Sequence, residues 1–125
     1  MKIRLGTMGT GFVVTLVACG WLTMLPSAGQ AAPAPANYKK FCRKCHGDNG
    51  SGNGPAAAVL DKHPGNFTDC ATMKTRTHDY LTKIISKGGG AVGKSPQMPS
   101  HAKKLSAEEI EELATYVATH FCGGQ

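Results

Sequence analysis

The sequence predicts a small all-α domain, exported and held together by more than its own apolar core. Three observations carry that expectation. Apolar residues recur at helical spacing in three segments, while no segment alternates as a strand and no internal repeat is present. The clearest of those segments opens with Ser106 and Glu109, spaced as a capping box. The chain has 125 residues, which bounds it to one small domain plus a leader.

The leader comes first. Lys2 and Arg4 open the chain, and no charged residue follows until Lys39. Leu5 to Leu25 is an uncharged, mostly apolar run, then Pro26, then the small-residue stretch "SAGQAAPAPA". Basic, apolar, small is the order of a secretory signal, so residues 1–31 read as a signal peptide cleaved after Ala31, and 32–125 as the domain. Two rivals stand beside it. Left uncut, the run is long enough to anchor the chain in a bilayer. The tetrad "LVAC" ending at Cys19 resembles a lipoprotein cleavage site, although "WLTML" after it stays apolar. All three place the domain outside the cytoplasm, in the periplasm, and only the rivals tie it to a membrane. Removing residues 1–31 from the 125 leaves 94, takes two of the 14 basic residues and none of the 8 acidic ones, and lowers the charge from +6 to +4. Of five cysteines four remain: Cys42, Cys45, Cys70 and Cys122. A chain this short leans on a disulfide, a metal or a cofactor. No nucleic-acid partner is expected.

In the first helix Tyr38, Phe41, Cys42 and Cys45 fall on one helical face and Lys39, Lys40, Arg43 and Lys44 on the other, with Gly47 as the stop. "GDNGSGNGP" must be loop, and glycines at 50 and 52 stand where a calcium loop needs oxygen ligands. The middle helix starts at the N-cap Thr77, has Asp79 in its first turn and Leu81, Ile84 and Ile85 as its stripe, and ends at Gly88 to Gly90. The last helix sets Leu105 and Ile110 as a hydrophobic staple, then lines Ile110, Leu113, Ala114 and Val117 up to Phe121, with Gly123 to stop it.

The first helix carries the chemistry, in "KFCRKCHGDNG". A structural zinc site needs a second ligand pair at comparable spacing. Cys70 and Cys122 are too far apart in sequence, and His63, His78, His101 and His120 have no helical ligand spacing. A thioredoxin-type dithiol needs a preceding strand in a βαβ unit, which is missing. Neither explains the histidine directly after the second cysteine. Haem attachment explains all three residues: cysteines at i and i+3 reach the two vinyl groups of one haem, and the histidine follows as an axial iron ligand.

With Cys42, Cys45 and His46 placed, the chain resembles the class I monohaem cytochromes c over nearly all of residues 36–122. That resemblance implies a helical fold wrapped around one covalently attached haem c, with the N- and C-terminal helices crossing so that Tyr38 and Phe41 meet Leu113, Tyr116 and Val117. It implies Met98, in "GKSPQMPS", as the second axial ligand, and Pro55 as the carbonyl that orients His46. Met73 is the rival methionine, nearer the motif and without a Pro-flanked loop. One departure is visible: His101-Ala102 stands where bacterial relatives often have Trp-Gly. The implied function is one-electron transfer between redox partner proteins rather than enzyme catalysis. If Met98 does not bind, an open iron site suits a peroxidase or ligand sensor, and a bis-histidine site would use His101.

"GGGAVGKS", Gly88 to Ser95, matches a phosphate-binding P-loop pattern, but such a loop leaves a strand and opens a helix, whereas this one leaves a helix and meets Pro96 and Pro99. The other histidines read as ordinary surface or helix residues, and the glutamates at 108–112 as dipole partners. Lys39, Lys40, Arg43 and Lys44 read either as a solvated face or as a basic rim for an acidic partner. Cys70 and Cys122, both outside the haem motif and in an oxidising compartment, are expected to form a disulfide, the alternative being two free thiols.

Overall fold

The computed structural model describes residues 35–122, so the leader and the Gly123 stop lie outside the described residues. All regular structure within them is helical, with no strand. A π-helical turn, Tyr38–Cys42, runs directly into an α-helical turn, Arg43–His46; together they are α1. The wide turn is not announced by the sequence, but the face it presents is the expected one: Tyr38 is buried, Phe41, Cys42 and Cys45 are half-buried, and Lys39, Lys40, Arg43 and Lys44 are exposed. It takes more residues per turn than an α-helix. Tyr38 turns into the core at 1 % exposure, while Phe41, Cys42, Cys45 and His46 line a cavity.

An element as short as α1 does not persist alone. Its last four carbonyls, which have no partner within the helix, are taken up by the loop that follows. Gly47 N–H donates to the Arg43 carbonyl (2.8 Å), Gly52 to His46 (2.9 Å), Gly54 to Cys45 (3.0 Å) and Ala56 to Lys44 (2.9 Å). The approach at Gly54 is so close that a Cβ there would collide with the Arg43 and Lys44 carbonyls.

A 3-10 turn, Ala57–Val59, leads through an irregular segment to α2, Cys70–Met73. No periodicity announces so short a helix; Asp69 starts it by accepting from Thr72 N–H at 3.2 Å. The middle helix, α3, is His78–Lys87, with Thr77 accepting from Tyr80 N–H and Gly88 ending it at φ +84°. A 3-10 turn, Gly89–Val92, follows. The last helix, α4, is Ala107–His120, with the Ser106/Glu109 capping box formed and Phe121 as C-cap.

Leu81 and Ile85 of α3 and Ile110, Leu113, Ala114, Tyr116 and Val117 of α4 form one buried cluster with Leu105 and Tyr38. Tyr38 is where the terminal helices meet. Its ring packs edge-on against Tyr116 at 5.1 Å and beside Phe121 at 5.7 Å, and its hydroxyl donates to the Gly47 carbonyl at 2.8 Å. Phe41 packs against the same buried cluster and also lines the cavity, beside the His101 ring at 5.6 Å, with Lys40 and Lys104 over its face.

Candidate functional site

Between α1, the 60–67 segment, α3, the Met98 loop and α4 lies a cavity of about 480 Å³, within the range of cofactor sites. Cys42, Cys45 and His46 line it from α1, and Met98 lines it from the loop after α3. Tyr80, Leu81, Ile84, Ile85, Leu113 and Val117 give it an apolar body.

His46 is tightly specified. Its Nδ1 lies 3.0 Å from the Gly65 carbonyl and donates to it, which leaves Nε2 as the free lone pair. The Phe67 ring stacks on the imidazole, 4.4 Å away and 14° from parallel. Burial holds the His46 pKa below the ordinary histidine value, against the Gly65 bond, which favours the proton. The orienting carbonyl was expected from Pro55, and the structure corrects this to Gly65. The 47–56 loop is committed to capping α1, so Pro55 sits on the outer side of that helix, beside Arg43 and Asp48. The chain reaches the imidazole only on its return, at Pro64-Gly65.

Met98 is delivered by backbone packing. Gly89 N–H donates to the Met98 carbonyl (3.0 Å), and Met98 N–H to Ser95 (3.2 Å). At Gly88 the positive φ and the space both demand glycine, since a Cβ would lie 2.9 Å from the Met98 carbonyl oxygen. The glycines of the P-loop-like stretch therefore serve the turn into Met98, and that stretch leaves α3, not a strand. Met73 also lines the cavity, from α2.

Cys42 and Cys45 are free thiols. Burial, with Cys45 adding to it, pushes the Cys42 thiol up to about 11, the reverse of the depressed pKa that an exchanging dithiol needs. Among the described residues no cluster of His, Cys, Asp or Glu has the arrangement of a metal site. The residues fit a covalently held haem instead: two unpaired thiols, one imidazole with a single free nitrogen, and an apolar cavity that the side chains leave unfilled. Cys70 and Cys122 are paired across 52 residues, with Cα atoms 5.5 Å apart.

His101 departs from its expectation as an ordinary surface or helix histidine. It is 6 % exposed, lines the cavity, and its Nδ1 is buried without a partner. Burial and the nearby Lys104 charge lower its pKa. Lys39, Lys40, Arg43 and Lys44 are all exposed, Arg43 within 3.5 Å of Asp48. Gly65 and Phe67 were missed from sequence; the only local signal was an aromatic closely following Pro-Gly in "HPGNF".

Over residues 29–117 the chain matches the family described as cytochrome c oxidase, cbb3-type, subunit III. The solved structure of the c-type cytochrome KustC0563 is similar in fold, with a TM-score of 0.53 and 23 % identity, covering 66 % of this chain and 90 % of that one. No curated protein matches the chain.

Proposed function

The chain belongs to the cbb3-type cytochrome c oxidase subunit III family of c-type cytochrome domains, and from that premise we propose that it is an exported, periplasmic one-electron carrier with a single haem c. Such domains hold haem covalently and exchange electrons with redox partner proteins. The observation that carries the finer reading is the convergence of Cys42, Cys45, His46 and Met98 on one apolar cavity.

In this reading Cys42 and Cys45 would hold the haem through thioether links, and His46 and Met98 would be the side chains that bind its iron. What the bound haem contributes is the reversible ferric/ferrous couple. The protein's part is to hold and tune it. Gly65 fixes the His46 tautomer and strengthens its Nε2 as a donor. A methionine thioether favours the reduced state, and the apolar walls exclude water, which raises the potential further. The Cys70–Cys122 bridge secures the fold, residues 1–31 export it, and the basic face of α1 receives an acidic partner.

The test is the ferric spectrum of the holoprotein. His46/Met98 ligation gives a weak far-red sulfur-to-iron charge-transfer band, which Met98→Ala abolishes while lowering the potential; an unchanged spectrum in that variant rejects Met98 as a ligand. Because His101 lies in the same cavity wall, a bis-histidine site is the second reading. It would lack the far-red band in the native protein and lose its low-spin spectrum in His101→Phe.

A further inference from the structure

The two contacts that fix the His46 ring come from one short segment. Gly65 accepts from Nδ1, and Phe67, two residues on, stacks on the ring face. Phe67 is itself held on several sides. Its N–H donates to the Gly50 carbonyl at 2.7 Å, and its ring meets Phe121 at 5.5 Å. Its carbonyl oxygen lies 3.1 Å from the Cys122 sulfur. Cys70 begins α2 three residues after Phe67, and Cys122 directly follows Phe121. The paired cysteines therefore clamp the end of α4 onto the segment that orients the imidazole.

We propose that Phe67 is a positioning residue for His46, and that the Cys70–Cys122 bridge holds Phe67 in place, so that opening the bridge is felt at the iron. This rests on the reading above of His46 as an axial donor and of the cysteines as bridged. A flat ring 4.4 Å from the imidazole blocks its rotation about Cβ–Cγ and shields that side from water. With rotation blocked, the Nδ1–H bond to Gly65 keeps its geometry, and that bond sets how strongly Nε2 donates. A smaller or branched side chain leaves the ring free to turn, and the bond weakens. Without the bridge, the 65–70 segment keeps its backbone bond to Gly50 but loses its covalent tie to α4.

The test uses the intact holoprotein as wild type, Phe67→Leu, Phe67→Tyr, Cys70→Ser/Cys122→Ser, and the combination of Phe67→Leu with the serine pair. Two quantities are read: the midpoint potential by optical redox titration, and the ferric g-values, which follow the plane of the axial imidazole. At the wild-type midpoint, Phe67→Leu is expected to change the ferric-to-ferrous ratio by at least about threefold and to shift the g-values, whereas Phe67→Tyr, which keeps the stack, changes neither. The serine pair moves both quantities in the same direction as Phe67→Leu. The combined variant moves them less than the sum, because the substitutions act through one contact. Unchanged potential and g-values in Phe67→Leu, or strict additivity in the combination, overturn the proposal. Failure of the underlying reading shows separately. A wild-type protein with no covalent haem spectrum rejects the haem site itself, and two titratable thiols in unfolded, unreduced wild type overturn the bridge's part in it.

Discussion

Replacing His101 with phenylalanine is expected to stabilise the fold, and to do so more at pH 5 than at pH 7. At pH 7 the imidazole is neutral and carries a buried Nδ1 with no hydrogen-bond partner. An unsatisfied buried polar atom costs about 1–3 kcal/mol, so removing it should gain about 1 kcal/mol after the larger phenyl ring is accommodated. The pH effect follows from the lowered pKa, caused first by burial and then by Lys104. Below its ordinary value of 6.5 the unfolded chain takes up a proton that the folded chain resists, so the unfolded state binds more protons and stability falls with pH. The neutral histidine's contribution is complete above 6.5 and is lost progressively below it. Phenylalanine cannot titrate, so the gap between variant and wild type should widen as the pH falls below 6.5. Urea unfolding at both pH values, followed by far-ultraviolet circular dichroism, measures it. Packing strain shifts the variant equally at both pH values, and only proton linkage widens the gap. A constant gap, or one that narrows on acidification, refutes the buried neutral imidazole.

Tyr38→Phe removes the hydroxyl that donates to Gly47 at 2.8 Å and leaves that carbonyl only the 3.4 Å contact from Gly50 N–H. A loss of about 1 kcal/mol is expected, read as a lower urea midpoint at unchanged m-value; an equally stable variant would show that the bond contributes nothing net. If Lys39, Lys40 and Lys44 receive an acidic partner, the bimolecular electron-transfer rate should fall by about tenfold between low and physiological salt. A rate independent of salt leaves them a solvated face.

Helices α3 and α4 could be read to within a residue because their ends are written in side chains. Thr77 and Ser106 accept from N–H groups three residues on, a local chemistry that needs no tertiary partner. The cysteines and histidine of α1 could be singled out because their spacing is the signal, and the structure turns all three to one cavity. The π turn could not be foreseen, because an extra residue in a turn is a choice of backbone hydrogen bonds, settled here by Tyr38 seating on α4 while Cys42 faces the cavity. Gly65 was hidden for a similar reason. Any loop carbonyl can accept from a histidine, and which one arrives depends on how the 47–56 loop spends its own hydrogen bonds. His101 lies among polar and basic residues and gives no apolar period; it is buried because its backbone N–H docks on the Ile85 carbonyl at 3.1 Å.

The latch at the end of α1 also limits where chain length can change. Donors at positions 52, 54 and 56 serve carbonyls at 46, 45 and 44, two steps along the loop for each step back along the helix. Adding or deleting a single residue among 47–56 would put an N–H facing outward wherever a carbonyl waits, and would move Gly54 off the one spot where the two backbones touch. The stretch is in effect a fixed-length connector, intolerant of insertions although it is all loop and rich in glycine. Lengthening can be accommodated only after the latch closes, between Val59 and Pro64, where no such alternating ladder constrains the backbone.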